Sequence, residues 1–259
     1  MTQQDRNFDD LAQRFARNVY GGPKGEIRLA IVWQHLCQCL PQLTPLSPLR
    51  ILDAGCGFGQ LALRLAELGH ELVLTDLSQN MLAEAQRRFV DEGAESGATF
   101  IQAPVQSLDP QSLGRFDVVL FHAVLEWLAQ PQQTLSRLLD LVRPGGHVSL
   151  LFYNRDALVF RNLIRGNWRK VESGALQGEA GGLTPYHPLA LQEVEAWLKA
   201  EGLQIMARAG VRVIYDYLEK GLRERRPIDE IVRMELQYAQ QEPYLHLGRY
   251  IHVLARRPQ

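Results

Sequence analysis

Cysteine is scarce: Cys37, Cys39 and Cys56 are the three thiols in 259 residues. Three thiols clustered so closely cannot build a disulfide framework, and such usage suits a reducing compartment. Cys37 and Cys39 stand two apart on an expected helix, so they point to different faces and read as packing residues. An excess of one charge is also missing. Twenty-eight Lys and Arg against 29 Asp and Glu leave a net charge of -1, so no global field advertises a nucleic-acid partner, and any such surface is a local patch. No apolar run approaches the roughly 20 residues that span a bilayer, and MTQQDRNFDDLAQRF at the start has no apolar core before a cleavage site. The expectation is a cytoplasmic protein with no membrane partner. Repeats at solenoid spacing are absent. His122, Glu126 and the distant His147 do not make a metal-ligand spacing, so no metal is expected.

What is present is an α/β alternation. LRILDAG reads as a buried strand, followed by a glycine-rich turn and the helix GQLALRLAELG, closed by Gly69. ELVLTD is a second strand ending on Asp76, and Ser78 caps a helix through about Val90. Residues 99–102 and FDVVLFH give a third and a fourth strand. A helix from Pro131 to about Val142 ends in the turn RPGG, and HVSLLFY is the fifth strand. Strands alternating with helices at this spacing predict a doubly wound, mostly parallel Rossmann-like sheet with right-handed crossovers.

The flanks depart from that pattern. Residues 1–48 read as an N-terminal helical cap over the carboxyl edge or the side of the sheet, and 49–259 as one domain carrying two insertions, at about 154–186 and 216–246. The polar, glycine-containing SGALQGEAGG in the first insertion marks a loop over 173–183. Helix is expected over Pro188–Ala200 and over 222–240. LQIMARAGVRVIYDYL reads as a strand long enough to bend, and YIHVLAR as a final strand that can pair antiparallel at the sheet edge.

The strongest chemical signal is Asp53-Ala54-Gly55-Cys56-Gly57-Phe58-Gly59-Gln60. A strand delivers the chain into a loop whose glycines let the backbone approach a ligand that faces a helix N-terminus. Asp76 ends the next strand, where a carboxylate can accept hydrogen bonds from both ribose hydroxyls. A nicotinamide dinucleotide requires G-x-G-x-x-G/A; here the spacing is G-x-G-x-G, with Gln60 where a small residue belongs. Asp53 would repel a pyrophosphate but suits an ammonium. A nucleoside joined to an amino acid fits better, which describes S-adenosylmethionine.

DAGCGFGQ, TDLSQNML, FDVVLFHAVLEWL and VRPGG resemble, in order, the motifs of class I S-adenosylmethionine-dependent methyltransferases, over about Leu49–Tyr153. The resemblance implies that family's seven-stranded sheet. It implies a cofactor site of Asp53, Gly55, Cys56, Gly57, Asp76, Leu77, Val105, Gln106 and His122, with Val105 and Gln106 beside the adenine and His122 at the methionyl end. RNFDDLAQRFARNVYGGPKGEIR, LLFYN, GVRVIYDYL and EPYLHLGRYIHVLARRP resemble one bacterial subgroup, which esterifies the carboxylate of 5-carboxymethoxyuridine at the tRNA wobble position. That subgroup has Gly and Glu where Cys56 and Phe58 stand here, and neither swap removes a backbone contact. By this resemblance Arg28 takes the methionyl carboxylate; read from the residues alone, it is equally a helix-surface charge.

Methyl transfer to a carboxylate needs no general base, because the nucleophile is ionised at neutral pH. No catalytic residue is therefore expected, only groups that position the acceptor. Arginine suits this through its bidentate fork. Arg212 and Arg249 are candidates, each equally readable as an edge-strand cation, with Tyr153 and Asn154 just past the fifth strand. Tyr20, Tyr217 and Tyr250 could stack on an unstacked anticodon base, or simply pack. Arg161, Arg165 and Arg169 recur every fourth residue around Trp168 and would form one helical ridge. It is either a phosphate-tracking surface or a solvated face. With Arg223, Arg225 and Arg226 as a second cluster, a tRNA anticodon arm fits better than DNA. A small-molecule acid stays open as the alternative acceptor.

Overall fold

The computed structural model describes residues 5–9, 21–43, 47–178 and 184–259. The helices are α1 (Gly22–Cys39), α2 (Gln60–Glu67), α3 (Gln79–Asp91), α4 (Pro110–Leu113), α5 (Pro131–Leu139), α6 (Arg155–Ile164), α7 (Trp168–Glu172), α8 (Leu191–Ala200), α9 (Lys220–Arg225) and α10 (Ile228–Tyr238). The strands are β1 (Arg50–Ala54), β2 (Glu71–Asp76), β3 (Ala98–Gln102), β4 (Phe116–His122), β5 (Val142–Tyr153), β6 (Gln204–Val211) and β7 (Tyr250–Arg256). They form one seven-stranded sheet in the order β3-β2-β1-β4-β5-β7-β6. The first five are parallel, and β7 runs antiparallel to both β5 and β6. The expected Rossmann-like sheet with an antiparallel edge is therefore present, and the order reverses between β1 and β4. A doubly wound sheet opens a crevice at that point, outside the strand carboxyl ends.

Strand pleating sends successive side chains to opposite faces, and the core divides accordingly. Ile51, Leu74, Val118 and Leu120 pack on one side with Ile27, Ile31 and Leu36 of α1. Leu52, Val73, Val119 and Phe121 pack on the other with Leu135 and Leu138 of α5 and Val194 and Leu198 of α8. Pro23 sits in the first turn of α1, where its missing N–H costs nothing. Ser78 caps α3 as expected, accepting from the Met81 backbone N–H at 3.2 Å.

Several boundaries differ from expectation for local reasons. RPGG is not a turn ahead of β5 but an irregularity inside it: Phe116 pairs with Val142, and Val118 already pairs with His147. The expected long strand after residue 203 stops at Val211, because Arg212 takes a left-handed φ of 63°. The helix expected over 222–240 is two helices, α9 and α10, parted at Pro227. The continuous basic ridge is also broken: α6 ends at Ile164 and Gly166 has φ 72° before α7 begins. Of the expected N-terminal helical region, residues 5–9 are not helical; Arg6 N–H donates to the Trp127 carbonyl at 3.3 Å, crossing the strand carboxyl ends. Among the described residues, no helix is long and apolar enough to cross a membrane.

Candidate functional site

The glycine loop leaves β1 and is drawn over the end of β2, where the N–H groups of Gly55 and Cys56 both donate to the Thr75 carbonyl, at 2.8 and 2.9 Å. Gly55 has φ 75°, and a Cβ there would collide with the Val124 side chain. Only glycine meets both demands. Asp76 locks the loop from below: Oδ2 accepts from Gly57 N–H and Oδ1 from Ser78 N–H, both at 2.8 Å. Burial pushes its carboxyl up from the ordinary value, against the pull of these backbone donors.

Above the loop lies a cleft lined by Asp76, Leu77, Val105 and Gln106 together with Arg28, His122 and Tyr250. An adjoining hollow shares Arg28, Gly55 and His122 with it and adds Asp53 and Cys56. The cofactor-binding residues expected from the sequence thus converge on two joined hollows. Asp53 is 4% exposed, and burial, reinforced by the charge of Asp76, raises its carboxyl to about 7. A cation beside it would restore its ionisation. Burial also raises the Cys56 thiol; a thiol so held is inert.

His122 is held by Ser149, with 2.7 Å between its Nε2 and the hydroxyl. Burial and the nearby Arg28 guanidinium lower its pKa to about 3, so the ring stays neutral. The following residue, Ala123, has φ 58°, a conformation that non-glycine residues adopt rarely and often at functional sites.

Where the cleft meets the antiparallel edge, three buried arginines gather. Arg28, Arg212 and Arg249 are 8%, 5% and 5% exposed. Arg212 Nε and Arg249 Nε both approach Asp216 Oδ2, at 3.1 and 3.2 Å. Arg249 Nη1 donates to the Tyr153 hydroxyl at 2.8 Å, and Tyr153 meets Tyr250 edge-on with ring centroids 5.4 Å apart. The Arg28 and Arg212 guanidinium carbons lie 4.7 and 5.4 Å from the Tyr250 ring centroid. Neither Arg212 nor Arg249 is the exposed edge-strand cation that was the other reading. Burial pushes the Tyr153 hydroxyl up to about 12, so it remains a donor.

The other expected residues lie apart from this cluster. Asn154 is committed to structure: Oδ1 caps α6 through Asp156 N–H, and Nδ2 donates to the carbonyls of His246 and Gly248. Tyr217 donates to the Leu247 carbonyl at 2.8 Å and packs edge-on against Phe160. Arg161 is half-buried on α6, and Arg165 is exposed at that helix's end. Tyr20 falls outside the described residues, as does part of the 173–183 loop. Among the described residues no group of His, Cys, Asp and Glu could hold a metal ion.

Three contributors were not given their roles in the sequence: Asp5 and Phe8 went unnamed, and Glu126 was weighed only as a metal ligand. Asp5 accepts from Ala129 N–H at 2.8 Å and also binds the Gln106 amide, so Gln106 is tied to the N-terminal segment. Phe8 stands edge-on to Trp127 at 4.9 Å, and both line the cleft. Glu126, 1% exposed and raised by burial to about 8, accepts from Tyr153 N–H at 3.2 Å and fixes the end of β5. A capping pattern or periodicity could not reveal these, because each is a contact across distant parts of the chain.

Residues 52–150 match a family model described as a methyltransferase domain. The chain is 43% identical over 256 residues to the tRNA 5-carboxymethoxyuridine methyltransferase of Escherichia coli K12, covering 99% of this chain and 98% of that one. It is 35% identical over 112 residues to a ubiquinone biosynthesis O-methyltransferase of Caulobacter, covering 43% of this chain and 44% of the other. The structure resembles magnesium protoporphyrin IX methyltransferase from Synechocystis PCC 6803, solved with bound SAH, at 18% identity and a TM-score of 0.66, covering 96% of each chain.

Proposed function

The chain belongs to the tRNA 5-carboxymethoxyuridine methyltransferase family, and from that premise we propose that it methylates the side-chain carboxylate of 5-carboxymethoxyuridine at the tRNA wobble position, with S-adenosylmethionine as donor. The observation that carries the acceptor assignment is the buried cationic cluster. Arg28 and Tyr250 line the cleft, Arg212 lies against the Tyr250 ring, and Arg212 and Arg249 share the Asp216 carboxylate behind it. Two buried guanidinium groups on one carboxylate favour a further anionic partner, because unbalanced charge in low dielectric is costly.

The lining of the cleft supports this donor by its chemistry. Asp76 is placed to accept from ribose hydroxyls, as carboxylates at this strand end do, while Leu77 and Val105 offer apolar faces to a base and Gln106 stands beside them. Asp53, which ionises beside a cation, and Arg28 line one cavity, which matches the ammonium and carboxylate of an amino-acid moiety. S-adenosylmethionine, when bound, supplies a sulfonium methyl with a neutral thioether as leaving group.

Alignment is what remains for the protein to provide. An acceptor carboxylate, with an ordinary pKa of about 4, arrives ionised, and the Arg212 and Arg249 forks can grip one oxygen while the other attacks the methyl carbon in line. The new C–O bond forms as the C–S bond breaks, and no proton moves. Neutral His122 and neutral Tyr153 add no further charge beside the nucleophile, and the apolar faces of Trp127 and Tyr250 keep water away from it.

The insertions at about 154–186 and 216–246 carry the nucleic-acid contacts in this reading. On α6 and α7, Phe160, Leu163, Ile164 and Trp168 are exposed, Trp168 by 63%. Arg165, Arg169 and Lys170 are exposed among them. Aromatic faces interleaved with cations suit an anticodon arm, where unstacked bases and phosphates lie side by side.

The test is transfer of labelled methyl from S-adenosylmethionine to tRNA from cells lacking this protein, with the nucleosides then identified by mass spectrometry. A methyl ester on 5-carboxymethoxyuridine is expected. An unlabelled tRNA pool, with donor binding intact, would redirect the assignment to a small-molecule acid.

A further inference from the structure

Behind the cleft a chain of hydrogen bonds runs across one face of the sheet to α1. His122 Nε2 lies 2.7 Å from Ser149 Oγ, Ser149 Oγ lies 2.7 Å from His252 Nε2, and His252 Nδ1 lies 2.6 Å from His35 Nδ1. His35, Ser149 and His252 are essentially without exposure, while His122 lines the cleft. The methyl-transfer step uses none of the three inner groups. Burial lowers the pKa of all three rings, His35 to about 4 and His122 to about 3, with the neighbouring histidines adding to the effect at His252. Each ring is therefore neutral and carries one proton.

The proton count then restricts the network. Three neutral rings and one hydroxyl bring four protons to three hydrogen bonds, so one is left over: on an end ring, or on Ser149 if both rings donate to it. The second order leaves a fully buried hydroxyl proton with no acceptor among the described residues and is set aside. If the leftover proton is at the inner end, it sits on His35 Nε2, which is buried and has no hydrogen-bond partner among the described residues. An orphaned N–H in a dry interior is rarer and costlier than an orphaned lone pair. The favoured order therefore starts with His35 Nδ1–H donating to His252 Nδ1. His252 Nε2–H donates to Ser149, the Ser149 hydroxyl donates to His122 Nε2, and the leftover N–H is on His122 Nδ1.

We infer that His35, acting through His252 and Ser149, is a positioning residue that fixes the His122 proton on Nδ1, so that His122 offers the cleft a neutral donor next to Arg28. The tautomer assignment rests on the network alone. That the recipient is the carboxylate end of S-adenosylmethionine rests on the proposed function. A neutral donor there adds a directed hydrogen bond without a further buried charge.

The experiment is long-range proton–nitrogen NMR of the full chain labelled at histidine nitrogens, with no ligand added. Protons on His122 Nδ1, His252 Nε2 and His35 Nδ1 are expected; a proton on His122 Nε2 overturns the inference. Two variants supply the functional arm. Ser149→Ala removes the link and should mix the His122 tautomers and weaken S-adenosylmethionine binding roughly three- to tenfold. His35→Leu should do the same, while His35→Asn, whose amide Nδ2 is as far from Cβ as the ring Nδ1, should restore both. Unchanged tautomer and affinity in Ser149→Ala and His35→Leu also overturn it. Wild-type protein with the expected tautomers but no affinity for S-adenosylmethionine would refute the proposed function and leave the proton order standing.

Discussion

Arg249 donates to the hydroxyl of Tyr153 across 2.8 Å, joining the residue before β7 to the last residue of β5. That bond, made between strands that run antiparallel, sets an arginine fork at the place where the cleft meets the added sheet edge. The acceptor assignment stands on this geometry.

Replacing Arg212 or Arg249 by lysine keeps the charge and removes the fork. Each variant is expected to lose about tenfold or more in kcat/KM for tRNA, through KM and kcat together, with the dissociation constant for S-adenosylmethionine unchanged. Steady-state kinetics beside calorimetric titration of the donor would show it. Equal kinetics for both variants and the wild type would place the carboxylate clamp elsewhere.

Asp76→Ala should weaken donor binding by roughly 1–3 kcal/mol, the range for losing hydrogen bonds to a charged group. It should also lower Tm, because both carboxylate oxygens hold backbone N–H groups of the loop and of the turn before α3. Gly55→Ala should abolish tight donor binding as well, since the new methyl meets Val124 and the φ of 75° is strained for alanine. Titration calorimetry and thermal melts separate the two effects.

Arg165→Glu combined with Arg169→Glu should raise KM for tRNA about tenfold and flatten its dependence on salt, since fewer counterions are released. Donor affinity should not change. The readout is KM measured across a salt series; a variant with the wild-type slope would remove α6 and α7 from the RNA interface.

The buried histidines carry a pH signature. The folded pKa of His35 is depressed to about 4 from an ordinary 6.5, so between those values the unfolded chain binds the extra proton. Its stabilising contribution is complete above about 6.5 and is lost as pH falls towards 4. Raised carboxyls such as Asp53 and Glu126 act in the opposite sense, so the check is a difference. Urea unfolding from pH 7 to 4 should show wild type losing more stability than His35→Leu, by on the order of 2–3 kcal/mol.

The glycine loop and its surroundings were legible in the sequence because these parts are local. The spacing of Gly55, Gly57 and Gly59, the strand-terminal Asp76 and the cap Ser78 each follow from neighbours a few residues away. The sheet was legible too, since alternating strands and helices leave few topologies. Arg212 and Arg249 could be named but not told from surface cations, because what decides is burial and a shared Asp216. The break at Gly166, which spoils the ridge expected through Arg161, Arg165 and Arg169, rests on one glycine φ. Asn154 looked like a cleft residue by position, but two carbonyls from the segment before β7 had claimed its amide. Asp5, Phe8 and the His35–His252 contact were invisible, since each joins segments more than 100 residues apart.

The central claim is that the methyl acceptor is a carboxylate held by arginines, and the chemistry of the product tests it most directly. Transfer RNA labelled by the protein from S-adenosylmethionine would be treated with mild alkali, which cleaves a methyl ester but leaves base N-methyl, C-methyl and ribose O-methyl groups in place. The account predicts that the label leaves as volatile methanol and the wobble nucleoside returns to its free acid. Label retained in the nucleoside after alkali would contradict it.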